Sequence, residues 1–184
     1  MEMNRTTFPR LIGAAALSLS LALTGATAFA DDDDPTAYLY DGTCDGIADA
    51  KIVDEIDGLD KEDADKVWAL IGNDQDQPDD LIGTEDDIDD LNDVQNLVDG
   101  DYAVVVNETE SRTSAMLVCG DVEGEVTDGK LLIELGEVDG SGFEGRTLIQ
   151  PDDEDSDDDD ELEFAVGMYP AGEVDSLTES TPQS

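Results

Sequence analysis

In the segment Glu161-Leu-Glu-Phe-Ala-Val-Gly-Met168, polar or small residues alternate with apolar ones. Successive side chains of a β-strand point to opposite faces of a sheet, and this period of two therefore predicts a strand. The segment Phe143 to Gln150 has strand composition too, and it follows a turn at Gly140-Ser-Gly142. The end of the chain therefore predicts two strands, with the acidic residues 151–160 between them.

Further strands are predicted towards the N-terminus. Residues 51–56 and 66–71 fit either a strand or a short helix turn, whereas the apolar spacing of residues 91–98 predicts one short helix that ends at Gly100. Thr36 to Tyr40 fits a strand that ends in a turn, and Thr84 to Asp90 fits an acidic strand. The clearer strands are Tyr102 to Val106, Ala115 to Cys119 and Leu131 to Leu135. Seven or eight short strands at this spacing indicate an all-β fold, an antiparallel Greek-key-like β-sandwich with one short helix.

The chain divides into four parts. Residues 1–30 have a basic start, an apolar run and an Ala28-Phe29-Ala30 end, which predict a secretory signal peptide. An uncleaved anchor is the alternative, but the run is shorter than the roughly 20 residues that span a bilayer. An acidic leader, 31–35, precedes the sandwich domain, 36–170, and a flexible tail, 171–184. We expect a secreted, extracellular and soluble mature chain.

The charge is extreme, with 50 acidic residues against 8 basic ones. Without residues 1–30 the counts become 49 and 6, a net charge of −43. At about 1 M salt the Debye length is only about 3 Å, and repulsion between surface charges nearly disappears. The composition predicts a halophilic surface, with acidic disorder as the alternative. It predicts no binding to nucleic acid or to an anionic membrane.

The chain contains no histidine, the commonest general base near neutral pH and the usual nitrogen ligand of transition metals. Its two cysteines, Cys44 and Cys119, form an even pair in a chain that is predicted to be exported. One disulfide is the simplest interpretation, and on the chain-entropy model it would stabilise the fold by roughly 4 kcal/mol.

Several short motifs resemble a known group. Tyr38-Leu-Tyr-Asp-Gly-Thr-Cys44 is similar to the H-x-H-x-G-T-C segment of secreted bacterial β-sandwich proteins of the copper-zinc superoxide dismutase-like and CHRD-like type. Val105-Val-Asn-Glu108 resembles their N-V-H-E strand end, and Val118-Cys-Gly-Asp-Val122 and Gly140-Ser-Gly-Phe-Glu-Gly145 resemble two further segments. Tyr38, Tyr40 and Asn107 stand where those proteins have histidines. The resemblance therefore implies the fold and the disulfide and argues against dismutase chemistry.

Carboxylates are the abundant chemical group, and calcium takes six to eight oxygen ligands. Candidate ligands lie in two acidic loops, although neither fits the EF-hand pattern. They are Asp74, Asp76, Asp79 and Asp80 in the first loop, and Asp155, Asp157 and Asp159 in the second. A third acidic run contains Asp86 and Asp87. The favoured interpretation of these acids is a solvated halophilic surface.

The preferred function is non-enzymatic, as a structural or interaction domain with an extracellular protein or polymer as partner and no cofactor. A low-affinity calcium or divalent-cation binder is the first alternative. A carboxylate-based hydrolase is the second, and it would require two acids converging in a pocket. Asn107-Glu-Thr109 is an N-glycosylation sequon, for which chance occurrence is the favoured interpretation.

Overall fold

The computed structural model describes residues 34–72, 75–89, 91, 93–151 and 161–174. The predicted signal peptide and most of the acidic leader lie outside these ranges, as does the acidic loop 152–160. The described residues contain eight strands. They are β1 Thr36–Asp41, β2 Lys51–Gly58, β3 Ile82–Asp89, β4 Tyr102–Asn107, β5 Met116–Asp121, β6 Leu131–Glu137, β7 Phe143–Pro151 and β8 Glu161–Pro170.

Three short helices accompany the strands, where the sequence predicted one. The predicted helix is α2, Val94–Val98, whose first turn is capped by the Asp93 carboxylate, an acceptor from the Gln95 N–H. The ambiguous segment near residue 66 is the helix α1, Ala64–Ile71. A 3-10 helix at Cys44–Asp49, here called the 3-10 segment, was not predicted.

The strands form one antiparallel sheet in the order β2-β1-β4-β5-β6-β7-β8-β3. Two thin links divide this sheet into halves. Between β5 and β6 only two residue pairs match, and between β2 and β3 the link is the pair Asp60–Gly83, which exchanges two backbone hydrogen bonds of 3.0 and 2.8 Å. The halves β2-β1-β4-β5 and β6-β7-β8-β3 enclose the main core, so the predicted sandwich is confirmed in a form that is nearly a closed barrel.

The Greek key follows from the position of β4. Because β2 also adjoins β3, the strands β3-β2-β1-β4 are neighbours in that order, which is the arrangement in which a fourth strand returns beside the first. The main core lies inside, with Leu39, Val104 and Phe164 each fully buried. The all-β antiparallel prediction is therefore confirmed together with its topology.

Helix α1 packs on the outer surface of β7 and β8. Its buried residues Ala64, Val67, Trp68 and Ile71 have the i, i+3, i+4, i+7 spacing of an amphipathic helix. The Trp68 ring packs edge-on against Tyr169, with 6.2 Å between ring centroids. Val174 is buried in the same cluster, so the packed part of the chain reaches four residues beyond the predicted boundary at 170.

Candidate functional site

The outer face of the half-sheet β2-β1-β4-β5 carries a hollow of about 490 Å³. Its floor is laid by β1, β2, β4 and β5, because alternate residues of those strands face outward. Beneath it, Tyr38, Tyr40 and Val105 form a small separate cluster. We call it the outer hollow, and its lining residues are Tyr40, Ile47, Ala48, Ala50, Lys51, Ile52, Asn107, Arg112, Ser114 and Met116.

Two segments wall the outer hollow. One is the 3-10 segment, which supplies Ile47 and Ala48, and the other is the β4–β5 loop, residues 108–115. The Tyr38 hydroxyl donates a hydrogen bond of 2.7 Å to the Glu110 carbonyl and so fastens this loop to β1. The loop closes on itself where the Glu108 N–H donates to the Ala115 carbonyl at 2.8 Å.

The predicted disulfide holds the first wall in place. Cys44 and Cys119 are bonded, with 6.0 Å between their Cα atoms, and they join the 3-10 segment to β5. The Cys44 N–H also donates to the Asp121 carboxylate at 2.7 Å. The 3-10 segment has no fully buried residue of its own, so these two tethers fix its position over the sheet.

The outer hollow concentrates unpaired positive charge. Lys61 and Lys66 each lie within 3.6 Å of a carboxylate oxygen, Lys130 bonds to Gln150, and Arg146 is buried beside Trp68 and Gln75. Lys51 and Arg112 make neither an ion pair nor a hydrogen bond with a described residue. Both line the outer hollow, whose lining contains no carboxylate.

Asn107 is the buried polar group of the site. Its side chain is 1% exposed, and its Oδ1 has no hydrogen-bond partner among the described residues. An unsatisfied buried acceptor costs about 1–3 kcal/mol, so such a group calls for an explanation. The same burial removes Asn107 from reach as a glycosylation acceptor in the folded chain, because sequons are modified on exposed loops.

Tyr38 adds no ionisable chemistry to the outer hollow. Burial raises the pKa of its phenol to about 12, and the nearby Glu55 carboxylate acts in the same direction. The Arg112 charge opposes this shift without cancelling it. The hydroxyl therefore stays protonated over the ordinary pH range, and it remains a hydrogen-bond donor to the β4–β5 loop.

The predicted calcium ligands of the first loop lie apart from the outer hollow. Asp76, Asp79 and Asp80 are exposed, and Asp80 is paired with Lys61 at 3.5 Å. Asp74, Asp155, Asp157 and Asp159 lie outside the described residues. Within the ranges that are described, no three acidic or cysteine side chains come together in a way that could hold a metal ion.

The third acidic run lies at the open side of the sheet. Asp86 is on β3 and faces β2 across the gap between these strands, which we call the seam. Partial burial raises the pKa of the Asp86 carboxyl, and the negative charges of Asp57, Asp87 and Asp54 raise it further, whereas the Asp87 N–H lowers it. The seam therefore brings like charges together at a place where strand pairing is nearly absent.

Replacing Asp86 by asparagine is expected to stabilise the protein at neutral pH. A carboxyl whose pKa is raised by folding makes the free energy of unfolding fall as the pH rises through that pKa. Cross-strand charge pairs are worth roughly 0.2–1 kcal/mol, and we expect a gain of that order for Asp86→Asn in urea titrations at pH 7 and low salt.

The exposed residue Asp101 provides the control, because its side chain has no partner among the residues that the structure describes. Asp101→Asn should change the free energy of unfolding by less than Asp86→Asn does. The gain from Asp86→Asn should shrink at pH 3 and in molar NaCl. An equal gain in both variants would show that the seam has no special electrostatic cost.

A second, smaller cavity of about 120 Å³ lies beside α1. Glu134, Glu144, Arg146 and Tyr169 contribute to its lining, and Glu134 and Arg146 are cross-strand neighbours on β6 and β7. Burial raises the pKa of Tyr169, although Arg146 acts against that shift. Two carboxylates thus share a cavity, but its volume is below the roughly 300–1,000 Å³ of ordinary ligand pockets.

No protein-family model, curated protein or solved structure matches this chain. In the part that the structure describes, no helix is long and apolar enough to cross a membrane. The site is accordingly interpreted from its own residues.

Proposed function

We propose that the protein is a secreted, non-enzymatic interaction domain that works in strong brine and uses the outer hollow as its contact surface. The observation that carries this proposal is the meeting of Lys51 and Arg112 at one hollow whose lining has no carboxylate. Neither cation has an ion-pair partner among the described residues of this chain, whose net charge is −42. A disulfide supports the extracellular setting, because such bonds persist in oxidising compartments.

The distribution of the acids supports the halophilic part of the proposal. No Asp or Glu is among the buried polar residues of the described chain. Carboxylates at the surface can stay hydrated in concentrated salt, while salt screens the repulsion between them. The acids therefore serve solubility in brine, and specific recognition is left to the two unpaired cations and the apolar lining.

Kinship with the superoxide dismutase-like and CHRD-like group is part of the same proposal. It is supported by the Cys44–Cys119 bond and by the position of Tyr38 and Tyr40 on β1 beside β4, which carries Asn107. In that interpretation, Tyr38, Tyr40 and Asn107 occupy the positions at which related proteins have metal-binding histidines. A surface that held a metal would thus have become a surface that holds a partner.

Retention of an extracellular partner tests the proposal. The immobilised protein is incubated at 3 M NaCl with the surface proteins and polymers of the cells that export it. We expect saturable retention that the double substitution Lys51→Glu and Arg112→Glu abolishes. Lys61→Glu with Lys66→Glu is the matched control, because those lysines lie elsewhere. Absence of retention, or equal retention by both variants, would contradict the proposal.

A further inference from the structure

The two cations of the outer hollow come from segments at opposite ends of the strands that form its floor. Lys51 begins β2 and pairs with Asp41, which in turn faces Tyr102 at the start of β4. Arg112 belongs to the loop that follows Asn107 at the end of β4. Five residue steps separate Tyr102 from Asn107, and at about 3.3 Å per step the floor is about 17 Å long.

Between these ends the lining is mainly apolar. Ile47, Ala48 and Ala50 form one side, and Ile52 and Met116 lie on the strands of the floor. Tyr40 is only 8% exposed, so its ring offers no broad platform for stacking a sugar.

We infer that the outer hollow binds an extended acidic polypeptide segment in which two carboxylates flank one apolar side chain. In an extended strand, residues i, i+2 and i+4 lie on one face, and the first and last are about 13 Å apart. Such a segment fits within the floor, with an acid towards each end and the apolar residue between Ile52 and Met116. The inference rests on the proposed function and identifies its partner.

Two cations beside an apolar lining are suited to binding in concentrated salt. At molar salt the Debye length is about 3 Å or less, so attraction at a distance is lost and only direct contacts between charged groups persist. Burial of the apolar side chain then supplies affinity that salt does not screen. A ligand that had only charge, such as a polyuronate, would lack this second contribution.

Fluorescence anisotropy in 3 M NaCl tests the inference with the full protein. The probe is a labelled, end-blocked peptide Gly-Asp-Ala-Leu-Ala-Asp-Gly. We expect at least tenfold weaker binding when both aspartates are replaced by asparagine, and a similar loss when leucine is replaced by glycine. Moving the two aspartates next to each other should also weaken binding, because only one cation can then be reached.

Protein variants supply the second arm. Lys51→Gln and Arg112→Gln should each weaken binding at least threefold, while Lys61→Gln and Lys66→Gln should leave it unchanged. Both tested residues are exposed, so their replacement leaves the core intact, and circular dichroism checks this. Equal binding of the neutral peptide, or no effect of either substitution, would overturn the inference.

The same experiments distinguish two other possible occupants of the outer hollow. Competition by an oligogalacturonate, with no binding of the peptide, would assign the hollow to an acidic polysaccharide and overturn the inference. Self-association in sedimentation runs that Lys51→Gln abolishes would assign it to a second copy of the chain, with the same consequence. If an extracellular partner is retained but the peptide does not bind, the proposed function stands and this inference fails.

Discussion

Lowering the NaCl concentration from 3 M to 10 mM is expected to unfold the protein at 25 °C. The Debye length grows from about 3 Å at 1 M to about 30 Å at 0.01 M, so carboxylates across the whole domain then repel one another. Typical domains have only about 5–15 kcal/mol of stability to lose. Far-UV circular dichroism during the salt titration, and thermal midpoints above the transition, measure the effect.

A partly neutralised variant controls for salt effects unrelated to charge. Asp101, Glu123 and Glu125 are exposed, and their side chains have no partner within the described part of the chain. Their replacement by the corresponding amides should move the folding transition to a lower NaCl concentration. A thermal midpoint that stays constant from 10 mM to 3 M NaCl would refute the proposal that the acidic surface is an adaptation to brine.

Removing the disulfide with Cys44→Ser and Cys119→Ser is expected to cost about 4 kcal/mol in urea unfolding at 3 M NaCl. The bond spans 75 residues, and on the chain-entropy model a loop of that length restricts the unfolded chain by about this amount. The 3-10 segment also loses its covalent tether, so binding at the outer hollow should weaken even where the sheet remains folded.

Reduction of the wild-type protein supplies the control for this prediction. Dithiothreitol should lower the stability of the wild type to that of the double variant and should leave the variant unchanged. A loss below about 1 kcal/mol would contradict the role assigned to the bond. Unchanged peptide binding by the folded double variant would show that the 3-10 segment holds its place without it.

Most of the sheet could be predicted because its strands are either period-two patterns, as at Glu161 to Met168, or short runs of apolar and β-branched residues, as at Tyr102 to Val106, between clear turns. The segment 66–71 remained ambiguous because its helical pattern starts earlier, at Ala64, which completes the spacing with Val67, Trp68 and Ile71. The 3-10 segment has no buried side chain and therefore left no periodic signal. Closure of the sheet by Asp60 and Gly83 depends on tertiary packing, which no local pattern encodes.

The candidate site was only partly predictable. The resemblance singled out Tyr38, Tyr40 and Asn107, and Tyr40 and Asn107 do line one hollow. Lys51 and Arg112 are far apart in sequence, so only the fold brings them to one surface. Basic residues are rare in so acidic a chain, and only six follow residue 30. That rarity was the available signal in the sequence for Lys51 and Arg112 as candidate binding residues.

Replacing sodium by calcium at one ionic strength shows whether the carboxylates are a hydrated surface or bind a divalent cation. Thermal unfolding is followed by circular dichroism at a constant ionic strength of 3 M, while 0 to 10 mM CaCl2 replaces an equivalent amount of NaCl. If the acids are a hydrated brine surface, the midpoint will not change with calcium. A saturable rise in the midpoint at micromolar to millimolar Ca²⁺ would contradict the proposed brine-adapted surface and identify the acidic loops as metal sites.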